Sequence, residues 1–407
     1  METGWAAFRY PNFRFYMSAR FLSAASSEMQ ALAVGWQIYA ITGRALDLGL
    51  VGLAQFLPGV LLFLIAGHTA DRVSRERILR ACLAGFSVCS LLLLTFALRG
   101  VTTVYPIYAV LLLNGVVRAF NGPASQAFLP LLVPAAEFPS SVAWGSSIFQ
   151  AAIVTGPMVG GLIYGISGRP APVYAAAAAC YVCASILLLL VRIEGRARPL
   201  DPSAGMVLEG LRFIWRNPII FGAISLDLFA VLLGGAVALL PVYARDILHA
   251  GTIGLGILRS APGAGAVLMA LVLAHRPLRR NAGAKMLWCV CGFGVFTVVF
   301  GLAHHLWIAA ASLLLVGACD MVSVIVRHTL VQLGTPDEMR GRVSAVNMVF
   351  IGASNEVGQF ESGVTAHWLG AVPAVVAGGI GTLAVVAIWA TLFPALRRAD
   401  RLGPDGG

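Results

Sequence analysis

Residues 48–77 read LGLVGLAQFLPGVLLFLIAGHTADRVSRER, an apolar run that ends in a cluster of charged side chains. A helix needs about 20 predominantly apolar residues to cross a hydrocarbon layer roughly 30 Å thick. Runs of this kind recur along all 407 residues, of which 59% are hydrophobic and only 11% are charged. A soluble globular protein carries roughly 25% charged residues. The sequence therefore predicts an all-α polytopic membrane protein and argues against a soluble enzyme.

The apolar runs are separated by charged or Gly- and Pro-rich connections. They lie at 15–41, 48–68, 78–98, 103–124, 138–166 and 171–191, and again at 218–243, 252–274, 284–303, 306–332, 343–368 and 371–396. The polar stretch 192–217 predicts a cytoplasmic linker that leads into an amphipathic helix. We therefore expect twelve transmembrane helices in two six-helix halves, residues 1–191 and 218–407, joined by this linker.

The basic residues predict the orientation of the chain in the membrane. Lys and Arg resist translocation, so they collect in short cytoplasmic loops. With the N-terminus inside, most of the 28 Lys and Arg residues fall in cytoplasmic segments, and the outer loops hold only Arg44, Arg99, Arg169 and Arg245. We expect a multi-pass protein of the bacterial inner membrane with both termini in the cytoplasm. The net charge of +10 then reflects topology and contact with the lipid bilayer, and no nucleic-acid partner is expected.

The two halves are similar at an offset of 202 residues. This offset aligns Gly156 with Gly358 and Gly161 with Gly363. Parallel six-helix halves, related by an axis along the membrane normal, hold a substrate site between them near the midplane. The same offset aligns Arg118 with Asp320. We therefore expect these two side chains to approach one another in at least one state of the protein.

Three short elements resemble those of a known family. Residues 67–75 resemble the Gly-x-x-x-Asp-Arg-x-x-Arg loop of the major facilitator superfamily, and residues 118–122 resemble its Arg-x-x-Gln-Gly element, with Asn121 in place of Gln. Residues 156–161 resemble the Gly-Pro-x-x-Gly-Gly element of its drug-proton antiporter branch. The whole chain is similar to the enterobactin-exporter-like group of bacterial efflux permeases. This resemblance implies the major facilitator fold.

The first element contributes Gly67, Asp71, Arg72 and Arg75, which we interpret as a conformational latch. A carboxylate at the cytoplasmic end of a helix can pair with backbone donors of a neighbouring helix and with Arg75. Bonds that form in one state and break in the other set the balance between the two states. The alternative is an ordinary basic loop that follows the topology rule.

The third element places Gly156, Pro157, Gly160 and Gly161 on the fifth predicted helix. Small residues on one face let a neighbouring helix approach closely, and a proline removes a backbone donor and bends the helix. The resemblance implies an antiporter-like role for this helix. The alternative is tight packing with no directional role.

Ionisable residues within membrane spans are costly in lipid, so each one is a candidate for function. The expected proton-coupling residues are Glu28, Asp227, Glu356 and Asp320. The side chains expected to line a cavity or to form ion pairs are Asn114, Arg118, Asn121, Arg327, Asn355 and Glu361. For each of them the alternative is a structural polar contact between helices.

The expected function is secondary active transport, since the sequence contains no phosphate-binding loop and no zinc-protease motif. We expect a proton-coupled exporter of a small amphipathic molecule, such as a siderophore or a drug, that works by alternating access. Its expected partners are the substrate and protons; it should act as a monomer, with no cofactor and no metal. The alternatives are a uniporter, an importer or a lipid flippase of the same fold, and a non-transporting membrane receptor.

Overall fold

A computed structural model of the protein describes residues 6–191, 204–276 and 281–398, and no residue in these ranges lies in a strand. The first long helices are α1 (Pro11–Thr42), α2 (Ala45–Arg72), α3 (Arg75–Leu98), α4 (Tyr105–Phe128), α5 (Phe138–Ser167) and α6 (Ala171–Leu189). The others are α7 (Ala204–Arg216), α8 (Pro218–Gly234), α9 (Gly251–His275), α10 (Ala282–Gly301), α11 (Leu306–Gly334), α12 (Asp337–Leu369) and α13 (Ala371–Leu392). The all-α prediction is confirmed.

Nine helices of the described chain are long and apolar enough to cross a membrane. One of the nine is α8 together with the turns that extend it to Ile247. Helices α1, α4 and α12 have 32, 24 and 33 residues, and each therefore exceeds a layer roughly 30 Å thick. Their lower hydropathy comes from side chains such as Glu28, Arg118 and Glu356. With these three, the described helices provide the twelve spans that the sequence predicts.

The seventh predicted span, 218–243, is not one continuous helix. α8 ends at Gly234, and the path continues through Gly235, a 3-10 turn and a π-helical turn at Tyr243–Ile247. Two consecutive glycines favour a break because glycine is a poor helix former, and Pro241 supplies no backbone donor. Hydropathy alone could not indicate this break, since glycine and proline do not interrupt an apolar run.

The chain forms two compact units. Unit 1 contains Met1–Gly43, Ala54–Asp201 and Gly251–Ser260, and unit 2 contains Arg44–Leu53, Pro202–Ala250 and Ala261–Gly407. Helices α2 and α9 therefore contribute residues to both units. Residues 192–203 of the predicted linker lie outside the described residues. The division into duplicated halves at 191 and 218 stays a prediction.

Each unit has its own apolar core. In unit 1, Phe13, Phe128 and Tyr181 are almost completely buried between α1, α4 and α6. In unit 2, α7 packs against α8 and α12 and buries Ile214, whereas Trp215 on the same helix is exposed. The last residues of the predicted linker are therefore an amphipathic helix whose apolar side contacts the protein.

Candidate functional site

The glycines of the Gly-Pro-x-x-Gly-Gly element make close helix contacts within unit 1. A Cβ atom at Gly156 would lie 2.7 Å from that of Glu28 on α1, and Gly160 faces the same helix. A Cβ atom at Gly161 would lie 2.6 Å from the carbonyl oxygen of Thr252 on α9. Such distances are too short for a real side chain, so glycine is what allows α5 to pack closely on both α1 and α9.

Glu28 also approaches a basic residue of α9. Its Oε2 lies 3.8 Å from Nε of Arg259, and the two side chains are 30% and 19% exposed. Nearby, the Ser260 hydroxyl donates to the carbonyl oxygen of Val154 at 2.7 Å, and Pro157 lies inside α5. The ion pair is long, and both side chains are half-buried. The proton-coupling role of Glu28 stays a prediction.

Three of the predicted cavity residues lie on α4. Nη1 of Arg118 donates to Oε1 of Gln55 on α2 at 2.9 Å. Asn114 is buried and Asn121 is half-buried, whereas Arg118 is exposed although it lies ten residues before the end of α4. A guanidinium group exposed to lipid at this depth is costly. The exposure of Arg118 therefore indicates that this face of unit 1 meets water.

Arg20 is a residue that sequence reasoning missed. It lies on α1, and its guanidinium carbon is 5.8 Å from the ring centroid of Phe149 on α5. A Cβ atom at Gly145 would lie 3.2 Å from its Nη1. Within the described residues, no carboxylate forms an ion pair with Arg20. The available signal was an arginine inside the first predicted span, 15–41.

In unit 2, two predicted site residues that are 100 residues apart in the sequence are in contact. Asp227 on α8 forms an ion pair and a hydrogen bond with Nη1 of Arg327 on α11. The Ser323 hydroxyl lies 3.4 Å from Oδ1 of Asp227 and donates to it. Asp227 is 5% exposed and Arg327 is 3% exposed. A buried pair of this kind is strongly destabilising to break, because the remaining charge stays buried.

Asp320 lies seven residues before Arg327 on α11 and faces a small cavity. The cavity is about 10 Å³, which is room for about one water molecule. Its lining includes Asp227, Phe293, Asp320 and Ser323. Within the described residues, the Asp320 carboxylate forms no hydrogen bond and no ion pair. Two carboxylates therefore share one arginine and one water-sized space.

The predicted residues of α12 bond within their own helix. Asn355 donates to a carbonyl oxygen one turn earlier at 2.8 Å. Gln359 donates to Oε2 of Glu356 at 3.4 Å, and Thr365 donates to Oε1 of Glu361 at 2.8 Å. These contacts place Glu356 and Glu361 in unit 2, and their predicted functions stay predictions.

The predicted latch is shorter than the loop expected from the sequence. α2 continues to Arg72 and α3 begins at Arg75, so only two residues connect the helices. Nη1 of Arg75 donates to the carbonyl oxygen of Ala127 at 3.0 Å, near the end of α4, where a cation is favoured. A Cβ atom at Gly67 would meet no atom within 4 Å. The side chain of Asp71 lies outside the described residues, so its pairing stays a prediction.

Unit 2 contains glycine contacts that correspond to those of α5. A Cβ atom at Gly358 would lie 3.0 Å from the carbonyl oxygen of Leu232 on α8. A Cβ atom at Gly363 would lie 2.6 Å from the Cα of Gly49 on α2. The repeat-related residues Arg118 and Asp320 belong to different units, and their expected approach stays a prediction.

Comparisons with known proteins give matches over almost the whole chain. A family model described as "Transmembrane secretion effector" matches residues 2–402. The enterobactin exporter EntS of Shigella boydii serotype 4 is 25% identical over 399 residues, which cover 97% of this chain and 95% of that protein. The resemblance inferred from the sequence motifs is confirmed.

Solved structures share the fold at low sequence identity. A bacterial homolog to the human lysosomal transporter Spinster, in an inward-facing and unoccupied conformation, aligns with a TM-score of 0.74 and 14% identity, over 97% of this chain and 99% of that chain. A bacterial homologue of the iron transporter ferroportin aligns with a TM-score of 0.71 and 15% identity, over 95% and 98%. The predicted fold is thereby confirmed.

Proposed function

Because the chain belongs to the transmembrane secretion effector family of major facilitator transporters, we propose that it is a proton-coupled exporter of a small amphipathic molecule. Protons enter the cell down their gradient while the substrate leaves by alternating access. The similarity to an enterobactin exporter makes a siderophore the first candidate substrate, and a drug the second. The proposal includes a monomer in the bacterial inner membrane, with both termini in the cytoplasm.

The observation that carries the proposal is the pair of carboxylates in unit 2. Asp227 and Asp320 line one cavity, and Arg327 supplies one positive charge. The remaining negative charge can be neutralised by a single proton. Asp320 is half-buried and faces a water-sized space, so a proton can reach it and leave it. A site that gains and loses one proton is what a proton-coupled transporter requires.

We assign the proton to Asp320 and a supporting role to Asp227. Asp227 accepts hydrogen bonds from Arg327 and Ser323, so protonating it would disturb both bonds. Within the described residues, Asp320 forms no hydrogen bond and no ion pair. It faces space for about one water molecule. A water molecule there can deliver or remove the proton without separating the ion pair. Glu28 and Glu356 are the next candidates.

Antiport is supported over uniport by the same carboxylates, because facilitated diffusion does not need a titrating group. The Gly156–Gly161 contacts of α5 are consistent with the antiporter-like element that the sequence resembles. A lipid flippase of the same fold remains the main alternative. It would move its substrate without a matching flow of protons.

The test uses the purified protein in liposomes that contain a trapped pH-sensitive dye. The substrates are enterobactin and a panel of cationic dyes, and both proton flux and substrate flux are recorded. In the wild type we expect each active substrate to drive a proton flux. Asp320→Asn should abolish transport driven by a proton gradient but retain exchange of substrate for substrate, because asparagine imitates a permanently protonated carboxyl group.

A matched control is Asp246→Asn, which removes a carboxylate that is 48% exposed and lies at the end of a span. It should transport like the wild type. Gradient-driven transport by Asp320→Asn at the wild-type rate would contradict the assignment of the proton to Asp320. Substrate movement without proton flux in the wild type would contradict antiport and favour a uniporter or a flippase.

A further inference from the structure

Five aromatic rings form a continuous row in unit 2. The Trp215 ring on α7 stacks on Phe221 with 4.8 Å between ring centroids, and Phe221 contacts Phe393 at 5.8 Å. Phe393 contacts Trp389 at 5.9 Å, and Trp389 contacts Phe229 at 5.3 Å. The row therefore joins three parts of the chain, which are the end of α7, the first part of α8 and the end of α13.

This row begins where α8 enters the membrane. Phe221 is the fourth residue of α8, and Phe229 lies about 12 Å further along the same helix. Trp215 comes just before that helix and is 64% exposed, and its N–H group forms no hydrogen bond within the described residues. The Trp389 N–H, by contrast, donates to the Ser225 hydroxyl oxygen at 3.0 Å. An exposed indole beside the start of a span is typical of aromatic residues at the level of the lipid headgroups.

Four exposed arginines are close in sequence to two members of this row. They are Arg212, Arg216, Arg397 and Arg398. The first two lie on α7, on either side of Trp215 in the sequence. The other two follow Phe393, and the backbone N–H of Arg397 donates to the Phe393 carbonyl oxygen at 3.2 Å. Because Trp215 and Phe393 both contact the Phe221 ring, the fold brings the two pairs of arginines to the same end of unit 2.

Within the described residues, the protein does not neutralise these arginines. The one carboxylate of α7 is Glu209, and it forms an ion pair with Arg342 on α12. No ion pair between described residues includes any of the four arginines. A Cβ atom at Gly210 would lie 2.8 Å from the carbonyl oxygen of Arg342, so α7 packs closely on α12. The protein therefore holds α7 in place while its two arginines stay exposed to an external anion.

We infer that the four arginines and the aromatic row bind an anionic phospholipid. Guanidinium groups form strong charge-assisted hydrogen bonds with phosphate oxygens. In the proposed orientation the start of α8 and the end of α13 are cytoplasmic, and basic clusters there attract the anionic headgroups of that leaflet. Ile388 and Leu392 lie one turn apart near the end of α13 and are exposed, which offers apolar surface to an acyl chain. This combination favours a phospholipid over a soluble anion, which would use only the arginines.

Lipid binding to the purified full-length protein in detergent tests this inference. Native mass spectrometry counts the lipids bound at increasing concentrations of phosphatidylglycerol or phosphatidylcholine, and it gives the Kd of the first lipid. The wild type should bind phosphatidylglycerol more tightly. A basic residue near an anionic surface contributes about fivefold in affinity. Arg216→Gln combined with Arg397→Gln should therefore weaken phosphatidylglycerol binding about 25-fold and leave phosphatidylcholine binding nearly unchanged.

Two further double variants distinguish a site from the effect of net charge. Arg14→Gln with Arg77→Gln also removes two exposed arginines, but from α1 and α3 of unit 1, and it should leave both affinities unchanged. Arg216→Lys with Arg397→Lys keeps both charges and should retain most of the preference for phosphatidylglycerol. If the variant of Arg14 and Arg77 weakened phosphatidylglycerol binding as much as that of Arg216 and Arg397, the proposed site would be overturned.

The aromatic part and the source of the anion have tests of their own. Trp215→Leu should weaken both lipids by a similar factor, whereas Trp307→Leu, which removes a 73% exposed indole at the start of α11, should change neither. Equal effects of these two variants would contradict the role of the row. Glycerol 3-phosphate that competed as well as phosphatidylglycerol would overturn the lipid in favour of a soluble anion. Binding needs neither substrate nor a proton gradient, so a failed antiport experiment would leave this result unaffected.

Discussion

The glycine contacts of the two units correspond, whereas the charged residues inside their spans do not. Gly156 of unit 1 packs on α1 and Gly161 packs on α9; Gly358 of unit 2 packs on α8 and Gly363 packs on α2. Helices α1 and α8 are the first spans of the two predicted halves, and α2 and α9 are the second spans. Each glycine pair therefore packs on the first helix of one half and the second helix of the other.

The charges well inside the spans differ in sign between the units. In unit 1 they are Arg20, Arg118, Arg259 and Glu28, and in unit 2 they are Asp227, Asp320, Glu356, Glu361 and Arg327. At the 202-residue offset, Asp227 corresponds to Ala25 and Arg327 corresponds to Ser125. The difference teaches that close packing restricts the glycines in both units, whereas the polar positions are free to diverge.

The largest expected effect is on the buried ion pair of unit 2. Arg327→Ala leaves the Asp227 charge buried without a partner, which should lower the free energy of unfolding by about 3–5 kcal/mol. The matched change in unit 1 is Arg259→Ala, since Arg259 and Glu28 are 3.8 Å apart and only half-buried. It should cost no more than about 1 kcal/mol. Denaturant titration in mixed micelles measures both.

Equal costs for Arg327→Ala and Arg259→Ala would contradict this contrast between a buried and a half-buried ion pair. The double variant Asp227→Ala with Arg327→Ser gives unit 2 the residues that unit 1 has at the corresponding positions. It should recover most of the lost stability, because it removes both buried charges together. A double variant as unstable as Arg327→Ala would show that the loss comes from packing.

The positions of the spans could be predicted from the sequence, but the partners of the buried charges could not. Apolar runs locate helices because lipid requires each span to be apolar and hydrogen-bonded within itself. Asp320, Ser323 and Arg327 follow one another at intervals of three and four residues, a spacing that places them on one face of α11. It could not show that Asp227 would meet Arg327, because which helices pack together depends on contacts between residues far apart in sequence.

The contacts of Arg20 and the end of α2 also could not be predicted from the sequence. Arg20 is one arginine near a basic N-terminal segment, and its contact with Phe149 on α5 depends on which helices pack together. The apolar run 48–68 and the resemblance of residues 67–75 to a family loop place Asp71 and Arg72 outside the second span, yet α2 continues to Arg72. A helix can extend past the apolar layer into water, so the end of an apolar run does not mark the end of a helix.

The next effect tests whether the glycine contacts are equivalent in the two units. Gly161→Ala brings a Cβ atom 2.6 Å from the Thr252 carbonyl oxygen, and Gly363→Ala brings one 2.6 Å from the Cα of Gly49. Each should lower the free energy of unfolding by about 1–3 kcal/mol, because backbone must move. Gly352→Ala is the control, since its Cβ meets no atom within 4 Å. If only one of Gly161→Ala and Gly363→Ala lowered the free energy of unfolding, the glycine contacts of the two units would not be equivalent.

The smallest expected effect is at Ser125, the counterpart of Arg327 in unit 1. Its hydroxyl lies 2.7 Å from that of Tyr16, and the contact joins two neutral groups. Ser125→Ala should therefore lower the free energy of unfolding by only about 0.5–1.5 kcal/mol, the usual net value of one hydrogen bond. The same titration measures it, with Ser147→Ala on exposed α5 surface as the control. If Ser125→Ala cost as much as Arg327→Ala, the two aligned positions would be equally important to folding, and the lower cost of polar contacts in unit 1 would be refuted.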